Sequence, residues 1–521
     1  MSPEEGFMWR RKVKPNLKPV ETTSRLDKTQ KDEGSSAAVA EGEPLSPSAQ
    51  MFHEPNFNVY IIVIMGCKTP VDLPVIKSNL VHALLKHPRF SSLQVEDEKE
   101  KGKFRWVQTN VDLENHIIVP EIGPGMDSPD RFVEDYVSDL SKTTISKTQP
   151  LWDIHILNVK TSDAEAVGVF RIHHSLGDGT SLLSLLLACT RQISDPEALP
   201  TIPVKKSREK KDQRDYGRIW GWLLGICWFL ALMWNTVVDM IMFAATVLFL
   251  KDGESPIKGP PGVELMPRRF VYRTVSLEDM KMVKNALNAT VNDVALGVTQ
   301  AGLSRYLNWR YAETKNRHGA TEFGNNLPKN IRLRSTLLIN LRPSVGIQAL
   351  AAMMEEDTKV KWGNRIGYVL LPITIALHSN PLDYVREAKA TIDRKKHSLE
   401  AIFTNSIAEV VLKLFGIKAA SALSHRVITR TTMCFSNLVG PLEEIGFYGH
   451  PLAYLAPGCY GQPHGLMVNF QSYVNKMTFV VSADEGTIPD PHRLCDDIVK
   501  ALELTKDAVL ERGQGRGTTA L

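Results

Sequence analysis

The sequence has few cysteines, little net charge and no zinc-type spacing. Its six cysteines are spread over 521 residues without a Cys-x-x-Cys pair, which excludes the usual zinc sites and a dense disulfide framework. A reducing, cytosol-facing environment is therefore expected. The formal net charge is only +4 at pH 7, and no basic stripe alternates with aromatic residues, so we expect no nucleic-acid partner.

The N-terminal segment lacks an apolar core of the length that a secretory signal needs. Residues 1–43 are rich in Lys, Glu, Ser, Thr and Pro but poor in large apolar side chains, so they cannot bury enough surface to offset the entropy of ordering. We expect this segment to be disordered and the ordered chain to begin near Pro44–Phe52. The glycine-rich residues 513–521 are expected to form a flexible tail.

Strand and helix patterns alternate through the first half of the ordered chain. The run Asn58–Met65 (NVYIIVIM) is short and β-branched, which is typical of a buried strand, whereas Val75–Lys86 has apolar residues at helical spacing. Strand and helix patterns continue to alternate up to Ala166–His173, which is predicted to be a strand. This alternation predicts an α/β protein. We expect an N-terminal lobe over 44–200 and a second α/β lobe over 263–512, separated by a basic linker and hydrophobic segment over 201–262.

The segment His173–Gly179 (HHSLGDG) lies where that strand ends and a helix over Thr180–Thr190 begins. Asp178 is placed to cap the helix, because a short carboxylate accepts hydrogen bonds from the free N–H groups of its first turn. Gly177 and Gly179 permit a tight turn and the close approach of a substrate to the backbone. The motif therefore predicts a site at a strand–turn–helix junction.

A histidine in this position suits the transfer of an acyl group from a thioester to an alcohol. The hydroxyl is a poor nucleophile, so a base must take its proton during the attack, and a histidine near its unperturbed pKa of about 6.5 fits that role. The tetrahedral oxyanion then needs a hydrogen-bond donor. This chemistry requires no metal, and the sequence offers neither a zinc site nor a Gly-x-Ser-x-Gly elbow.

Two simpler interpretations of the histidine pair stay open at this point. A histidine at the end of a strand is usually structural, and a pair of histidines suggests a metal site. Neighbouring strand residues point to opposite faces, however, so His173 and His174 would not readily bind one ion. For the same reason only one of the two can face a cleft.

The motif resembles HHxxxDG of the acyltransferase superfamily that includes chloramphenicol acetyltransferase, the condensation domains of peptide synthetases and the wax ester synthase/diacylglycerol acyltransferases. The DFGWG motif of the sister BAHD family is missing, and the resemblance covers nearly all of Pro44–Leu510 except an apolar insertion. The opening segment Pro44–Asn56 (PLSPSAQMFHEPN) resembles plant members of the wax ester synthase/diacylglycerol acyltransferase group. Five further segments resemble the same group: Pro150–Asp153 (PLWD), Val291–Val298 (VNDVALGV), Ile339–Pro343 (INLRP), Gly363–Ile373 (GNRIGYVLLPI) and Ser436–Pro441 (SNLVGP).

The resemblance implies roles for the motif residues. His174 is implied to be the general base and His173 to be structural. Asp178 and Gly179 are implied to keep the loop and the histidine in place, and Arg342 is the arginine through which Asp178 would act. The implied fold consists of two lobes of the chloramphenicol acetyltransferase type with the site between them, so that acyl-CoA enters the tunnel from one face and the lipid alcohol from the other.

The second half supplies further candidates by the same resemblance. Asn292 is the candidate oxyanion donor and Asp293 is expected to order its segment. The sequence alone favours another interpretation of Asn292, namely a helix N-cap or turn. Asn364 and Asn437 are weaker candidates for positioning and are equally suited to turns.

The apolar insertion Ile219–Leu250 poses a topology problem. At about 1.5 Å per residue it is longer than a bilayer core, but a single crossing would separate His174 from Asn292. Asp239 near its middle is costly in lipid, and positive charges flank both ends, which places both ends in the cytosol. We therefore expect a monotopic helical hairpin or amphipathic anchor, with a buried core helix pair as the alternative.

The leading functional hypothesis is an acyl-CoA-dependent O-acyltransferase that acylates long-chain fatty alcohols to wax esters, with diacylglycerol acylation to triacylglycerol as a second activity. Acyl-CoA is then a cosubstrate, and no permanently bound cofactor or metal is expected. The partners are the lipid alcohol and a bilayer, with the lobes facing the cytosol at the endoplasmic reticulum or the plasma membrane. The alternatives are acylation of another hydroxyl metabolite and a non-catalytic membrane lipid-binding protein on the same fold.

Overall fold

The computed structural model describes residues 42–517 apart from 99, 101, 124–127, 204–217, 317–323, 342–363 and 365. Almost all of the segment predicted to be disordered therefore lies outside the described residues. The described strands are, in chain order, β1 Tyr60–Cys67, β2 Ser92–Glu96, β3 Phe104–Gln108, β4 Ile117–Ile118, β5 Trp152–Leu157, β6 Ala166–His173, β7 Thr190–Gln192, β8 Arg268–Ser276, β9 Leu333–Asn340, β10 Ile366–Ile373, β11 Met433–Leu438, β12 Ile445–Phe447, β13 His450–Tyr460, β14 Leu466–Tyr473 and β15 Lys476–Asp484.

The α-helices vary from short caps to helices of about 30 residues, and short 3₁₀ turns join some of the elements. The helices are α1 Pro47–Met51, α2 Leu73–His82, α3 Pro129–Leu140, α4 Gly179–Ala188, α5 Arg218–Leu248, α6 Leu277–Ala286, α7 Val291–Asn316, α8 Leu382–Lys396, α9 Glu400–Ile428 and α10 Pro491–Gly517. The 3₁₀ turns are Pro55–Phe57, Leu84–Lys86, Pro88–Ser91, Leu113–Asn115 and Val263–Leu265.

Local sequence explains where several of these elements begin. Strand β6 has the predicted bounds, Ala166–His173, and nearly all of it is buried. Helix α2 begins two residues before the predicted start, because Asp72 caps it by accepting a hydrogen bond from the Val75 N–H. At the other end of the chain, α10 continues through Gly517, so residues 513–517, which were predicted to be a flexible tail, are helical.

Two sheets carry the fold. The first has the strand order β4-β5-β6-β1-β13-β12-β7 and the second β10-β9-β11-β14-β15-β8. Each sheet has its own hydrophobic core, in which α2 and α3 cover the first sheet and α6, α7 and α10 cover the second. The sheets come close at Gly458 of β13, where a Cβ atom would lie 2.8 Å from the Phe270 ring and from Ser482 Oγ.

The first sheet is not built from residues 44–200 alone. Strands β12 and β13 come from the range assigned to the C-terminal lobe. Nevertheless, β13 pairs antiparallel with the whole length of β1, from Tyr60↔Tyr460 to Cys67↔Leu452. Pairing with β13 satisfies the backbone edge of β1 that β6 leaves open. The boundary between 200 and 263 therefore does not separate the two sheets, and no local pattern in the sequence indicates this exchange.

The apolar insertion forms one helix, α5, rather than a hairpin. One face of its C-terminal half packs on the second half of the chain through Thr236, Asp239 and Phe243, which are all buried. The Asp239 carboxylate pairs with Lys395 at 2.8 Å and with Arg394 at 2.9 Å, which explains how a charge is tolerated in this apolar run. The helix is long and apolar enough to cross a membrane by length and composition alone, over Trp222–Leu248.

Candidate active site

The turn between β6 and α4 places the histidine motif between the two halves of the chain. Asp178 is the N-cap of α4, and its side chain accepts a 2.9 Å hydrogen bond from the Ser181 N–H, which confirms the predicted capping. Gly179 is the first helical residue, and an added Cβ there would lie 3.4 Å from the Leu438 side chain at the end of β11. The second half of the chain therefore reaches this turn directly.

His173 is buried in a network of the first lobe. Its Nδ1 lies 2.6 Å from Ser175 Oγ, and its Nε2 lies 3.1 Å from the Phe52 carbonyl and from Asn58 Oδ1. Burial lowers the pKa of His173 well below its ordinary value, and the nearby rings of His53 and His174 add to this. The ring is thus held by neighbours on both nitrogens, as a structural residue would be.

His174 has a different environment from its neighbour. Its backbone N–H donates to the Val59 carbonyl at 2.9 Å, and its ring stacks on Phe52 with centroids 4.2 Å apart and planes 22° apart. The residue as a whole is 7% exposed, and the ring Nδ1 makes no hydrogen bond to another described residue. Burial lowers the pKa of His174, while its own backbone carbonyl, Asp178 and Asn364 act in the opposite direction. The neutral form, which a base needs, therefore dominates at pH 7.

Asn364 ties the second half of the chain to His174. Its side-chain Nδ2 donates a 2.9 Å hydrogen bond to the His174 carbonyl, and its own carbonyl accepts one of 3.2 Å from Ser48 Oγ. Asn364 is nearly buried, so this bond is shielded from water. Asn364, a weak candidate from sequence alone, thus makes a direct contact with the candidate base.

The Asn-Asp segment lies at the start of α7. Asp293 is fully buried, and it exchanges hydrogen bonds with Thr290: its Oδ2 accepts from the Thr290 N–H at 2.7 Å, and its N–H donates to Thr290 Oγ1 at 3.2 Å. This is a reciprocal capping arrangement. Thr290 therefore occupies the cap position, so the expectation that Asn292 is the N-cap is wrong.

Asn292 is exposed, and its Oδ1 accepts a hydrogen bond from Nδ2 of Asn437, the other weak candidate for positioning. Asn437 precedes Leu438, the residue that lies against Gly179. The structure thus brings Asn292 and Asn437 together beside the histidine turn, although no hydrogen bond among the described residues joins either of them to His174. Arg342, the predicted partner of Asp178, lies outside the described residues.

An apolar cavity opens beside the same turn. It lies between α4 and the first sheet, encloses about 720 Å³ including the part open to solvent, and begins at Gly179. Nearly all of its lining is aliphatic or aromatic; Gln471 is a polar exception. We call it the α4 cavity. A cavity of this polarity suits an alkyl chain and offers nothing to a polar substrate.

Two groups of residues near the site were missed by the sequence analysis. Phe52, which contacts both histidines, lies in the opening segment Pro44–Asn56, whose resemblance to plant family members assigns no role to a single residue. Asp153 of the PLWD segment pairs with Arg171 across β5 and β6, with Arg171 Nε 3.0 Å from Asp153 Oδ1. Asp153 precedes one apolar run and Arg171 lies within the next, and this was a signal for a pair, since buried charges need partners.

The Asp153–Arg171 pair includes a residue of the strand that carries the histidines. Burial alone would raise the pKa of the Asp153 carboxyl, but hydrogen bonds and charge from His155 and Arg171 lower it overall. Arg171 Nη1 also donates to Thr143 Oγ1 at 2.7 Å. Within the part of the chain that the structure describes, no group of three or more His, Cys, Asp or Glu side chains is arranged to hold a metal ion.

Comparison with known proteins agrees with this geometry. A model described as the wax ester synthase/diacylglycerol acyltransferase catalytic domain matches residues 55–295, and one described as the WS/DGAT C-terminal domain matches residues 362–506. Wax ester synthase/diacylglycerol acyltransferase 11 of Arabidopsis thaliana is 50% identical over 485 residues, which cover 92% of this chain and 98% of that relative. Wax ester synthase/diacylglycerol acyltransferase 5 of the same plant is 48% identical over 484 residues, covering 91% and 95%.

Solved structures support the predicted pair of lobes. The wax ester synthase/diacylglycerol acyltransferase from Marinobacter aquaeolei VT8 superposes with a TM-score of 0.57 at 15% identity, covering 89% of this chain and 99% of that one. The first condensation domain of the calcium-dependent antibiotic synthetase gives a TM-score of 0.51 at 11% identity, covering 91% and 97%. At these identities the likeness shows the fold alone, and it confirms the expected architecture of two lobes of the chloramphenicol acetyltransferase type.

Proposed function

Since the chain belongs to the wax ester synthase/diacylglycerol acyltransferase family and is therefore an acyltransferase, we propose that it transfers a fatty acyl group from acyl-CoA to the hydroxyl of a long-chain alcohol. Diacylglycerol is the second acceptor. The observation that carries the proposal is His174, a buried neutral imidazole whose turn also forms the start of an apolar cavity. The same chemistry serves both acceptors, so the shape of the acceptor site decides between them.

His174 acts as the general base in this proposal. The ring takes the proton of the hydroxyl while the oxygen attacks the thioester carbonyl carbon, which forms a tetrahedral oxyanion. The carbon–sulfur bond then breaks, and the imidazolium returns the proton to the CoA thiolate. No step requires a covalent enzyme intermediate, so the base and an oxyanion donor account for the chemistry.

Asn292 is our candidate for the oxyanion donor. Its Oδ1 accepts from Asn437, and its Nδ2 donates to no other described residue, so that N–H group is left for a substrate oxygen. The capping pair of Thr290 and Asp293 fixes the first turn of α7 and therefore the position of Asn292. The side chain is exposed, and closure of the substrate over it would supply the dry environment in which such a donor acts most strongly.

We also propose that α5 lies on the cytosolic face of the endoplasmic reticulum membrane. Large apolar side chains point away from the protein along this helix, with Trp222 70%, Trp234 69% and Ile241 61% exposed. The salt-bridged Asp239 holds the opposite face on the protein, which favours a helix attached to the surface over one that crosses the bilayer. Both lobes then stay on one side, as a shared site requires.

Turnover assays test the proposed activity. Purified enzyme with labelled palmitoyl-CoA is offered hexadecanol, diacylglycerol and a polar alcohol, and His174→Ala is compared with His82→Ala, which changes an exposed histidine on α2. We expect hexadecanol to be the best acceptor and His174→Ala to lose at least about a hundredfold in rate. Preference for the polar alcohol would favour a metabolite acyltransferase, and binding without turnover would favour a lipid-binding protein.

A further inference from the structure

The α4 cavity has a defined direction relative to the histidine turn. On the sheet side its wall is formed by side chains of adjacent strands in register: Ile61 faces Ile172, and two residues further on Val63 faces Phe170. Ile172 immediately precedes the histidine pair. The Ile61–Ile172 rung is therefore the end nearest to the site, together with Gly179.

The far end of the cavity lies at the other end of α4. Met65 of β1 faces Leu455 of β13 there, one further rung along the sheet. Cys189 caps the C-terminus of α4, and Phe447 of β12 pairs with Thr190, the next residue in the chain. Both Cys189 and Phe447 line the cavity, so they close it on the side away from the histidines.

The cavity wall formed by α4 follows one face of the helix. Gly179, Leu182, Leu186 and Cys189 recur at intervals of three or four residues, which places them along a single line. Ten residues of helix extend for about 15 Å, long enough for roughly ten methylene groups of an extended chain. The polar lining residue Gln471 is paired in the second sheet with Leu438, and Leu438 lies against Gly179. Gln471 therefore belongs to the end of the cavity near the histidine turn.

We propose that the α4 cavity holds the alkyl chain of the acyl donor, with the thioester at Gly179 and the methyl end toward Cys189 and Phe447, so that these two side chains limit the acyl chain length. The proposal rests on the proposed acyl transfer. Its occupant is the acyl chain rather than the alcohol chain because the near end coincides with the first turn of α4. The positive end of that helix dipole favours the negative charge that develops on the acyl carbonyl oxygen.

A graded series of substitutions tests the direction of the cavity. Leu182→Phe narrows it near the site, Cys189→Phe narrows it at the far end, and Phe447→Ala enlarges the far end. Leu187→Phe adds the same bulk to α4 on a side that does not line the cavity. Thermal unfolding of each variant shows whether it folds, and kcat/KM is measured with butyryl- to stearoyl-CoA at fixed hexadecanol.

We expect the wild-type enzyme to use acyl chains up to about decanoyl best, because the cavity has room for roughly ten methylene groups. The longest well-used chain should shorten slightly in Cys189→Phe and strongly in Leu182→Phe, with at least about a tenfold loss for decanoyl- relative to butyryl-CoA in the latter. Phe447→Ala should extend the range, and Leu187→Phe should leave it unchanged. A shift in the alcohol profile at fixed decanoyl-CoA, with an unchanged acyl profile, would overturn the assignment. So would variants that fold and turn over with the wild-type acyl profile.

A binding measurement separates this proposal from the proposed function. Non-reactive thioether analogues of the same acyl-CoA series are titrated calorimetrically into the full chain and into the Leu182→Phe and Phe447→Ala variants. If the enzyme shows no turnover but the preferred chain length for binding shifts as described, the cavity assignment stands and the acyl-transfer proposal fails. If binding is independent of chain length in the wild-type protein, the cavity assignment fails.

Discussion

The Nδ2 atom of Asn364 donates a 2.9 Å hydrogen bond to the backbone carbonyl of His174. This bond joins the second half of the chain to the candidate base just beyond the end of β6. The His174 N–H is held there by the Val59 carbonyl, and Asn364 holds the His174 carbonyl. The carbonyl of a buried turn needs such a donor, because an unsatisfied group there costs about 1–3 kcal/mol. We therefore propose that Asn364 positions the His174 ring.

Substitution of Asn364 should lower the rate without abolishing folding. We expect Asn364→Ala to reduce kcat about tenfold, because the bond is worth roughly 1–2 kcal/mol and its loss lets the histidine turn move. The KM for acyl-CoA should change little, since the Asn364 side chain does not line the α4 cavity. Asn405→Ala is the matched control, because the Asn405 side chain donates to Glu409 on the exposed face of α9 and bonds to no other described residue. Equal kcat values for the two variants would refute a positioning role.

Phe52 should set the pH dependence through its stacking on His174. Burial lowers the pKa of His174, so the base should stay neutral to a lower pH than an ordinary histidine, and the acid limb of kcat/KM should fall below 6.5. Phe52→Ala admits water, which should raise that pKa and move the acid limb upward, so that activity is lost most at pH 6. Phe52→Leu keeps the apolar cover and should leave the limb in place. An acid limb that is unchanged in Phe52→Ala would show that another group controls it.

The elements around the histidines could be predicted because their signals are local. The run Ala166–His173 is apolar and β-branched, and Asp178 has the position and chemistry of a cap, so the strand, the turn and the helix followed from adjacent residues. By contrast, β13 is a buried strand whose residues fit either sheet. Its pairing with β1 depends on contacts almost 400 residues apart in sequence, and no periodicity encodes them.

The site was predictable in part for the same reason. His174 was identified by a seven-residue motif, whereas the contacts of Phe52 and Asn364 with it join segments that are distant in sequence. Asn292 was named by resemblance, but the pairing with Asn437 depends on how β11 meets α7. Asp239 illustrates the converse: its cost in an apolar run was recognised, but its partners Lys395 and Arg394 required the fold.

The buried Asp153–Arg171 pair should be important for stability. We expect Arg171→Met to cost about 3–5 kcal/mol in unfolding free energy, because the buried Asp153 carboxylate loses its guanidinium partner and keeps the hydrogen bond with His155. The double variant Asp153→Asn/Arg171→Met should cost less than the sum of the single changes, since no lone charge remains. Lys77→Met breaks a more exposed pair with Glu114 and should change the free energy by less than about 1 kcal/mol. Additive effects in the double variant would contradict a coupled pair.

Buried neutral histidines should make the fold sensitive to mild acid. Burial lowers the pKa of His464 to about 3 and that of His53 to about 4. Below pH 6.5 both histidines therefore take up a proton in the unfolded chain, whereas in the folded chain they stay neutral until the pH approaches these lower values. Each such histidine should remove up to about 1.4 kcal/mol of stability between pH 7.5 and 5.5. Denaturant unfolding at the two pH values measures the loss, and His464→Gln should reduce it by roughly that amount. The same loss in His464→Gln as in the wild-type protein would exclude this histidine as a source.

The ion pairs of Asp239 should hold α5 against the protein. Asp239→Ala leaves Lys395 with Glu400 as its remaining acidic partner and removes the bond that fixes the middle of the helix. We expect the variant to fold, to turn over water-dispersed substrate near the wild-type rate, and to become more sensitive to limited proteolysis around α5. Binding to vesicles should persist, because the exposed tryptophans Trp222 and Trp234 supply the apolar contact. A variant with both tryptophans changed to Ser should show the reverse: normal protease resistance and weak vesicle binding. If Asp239→Ala released the protein from vesicles while the tryptophan variant stayed bound, the apolar face of α5 would not be the membrane contact.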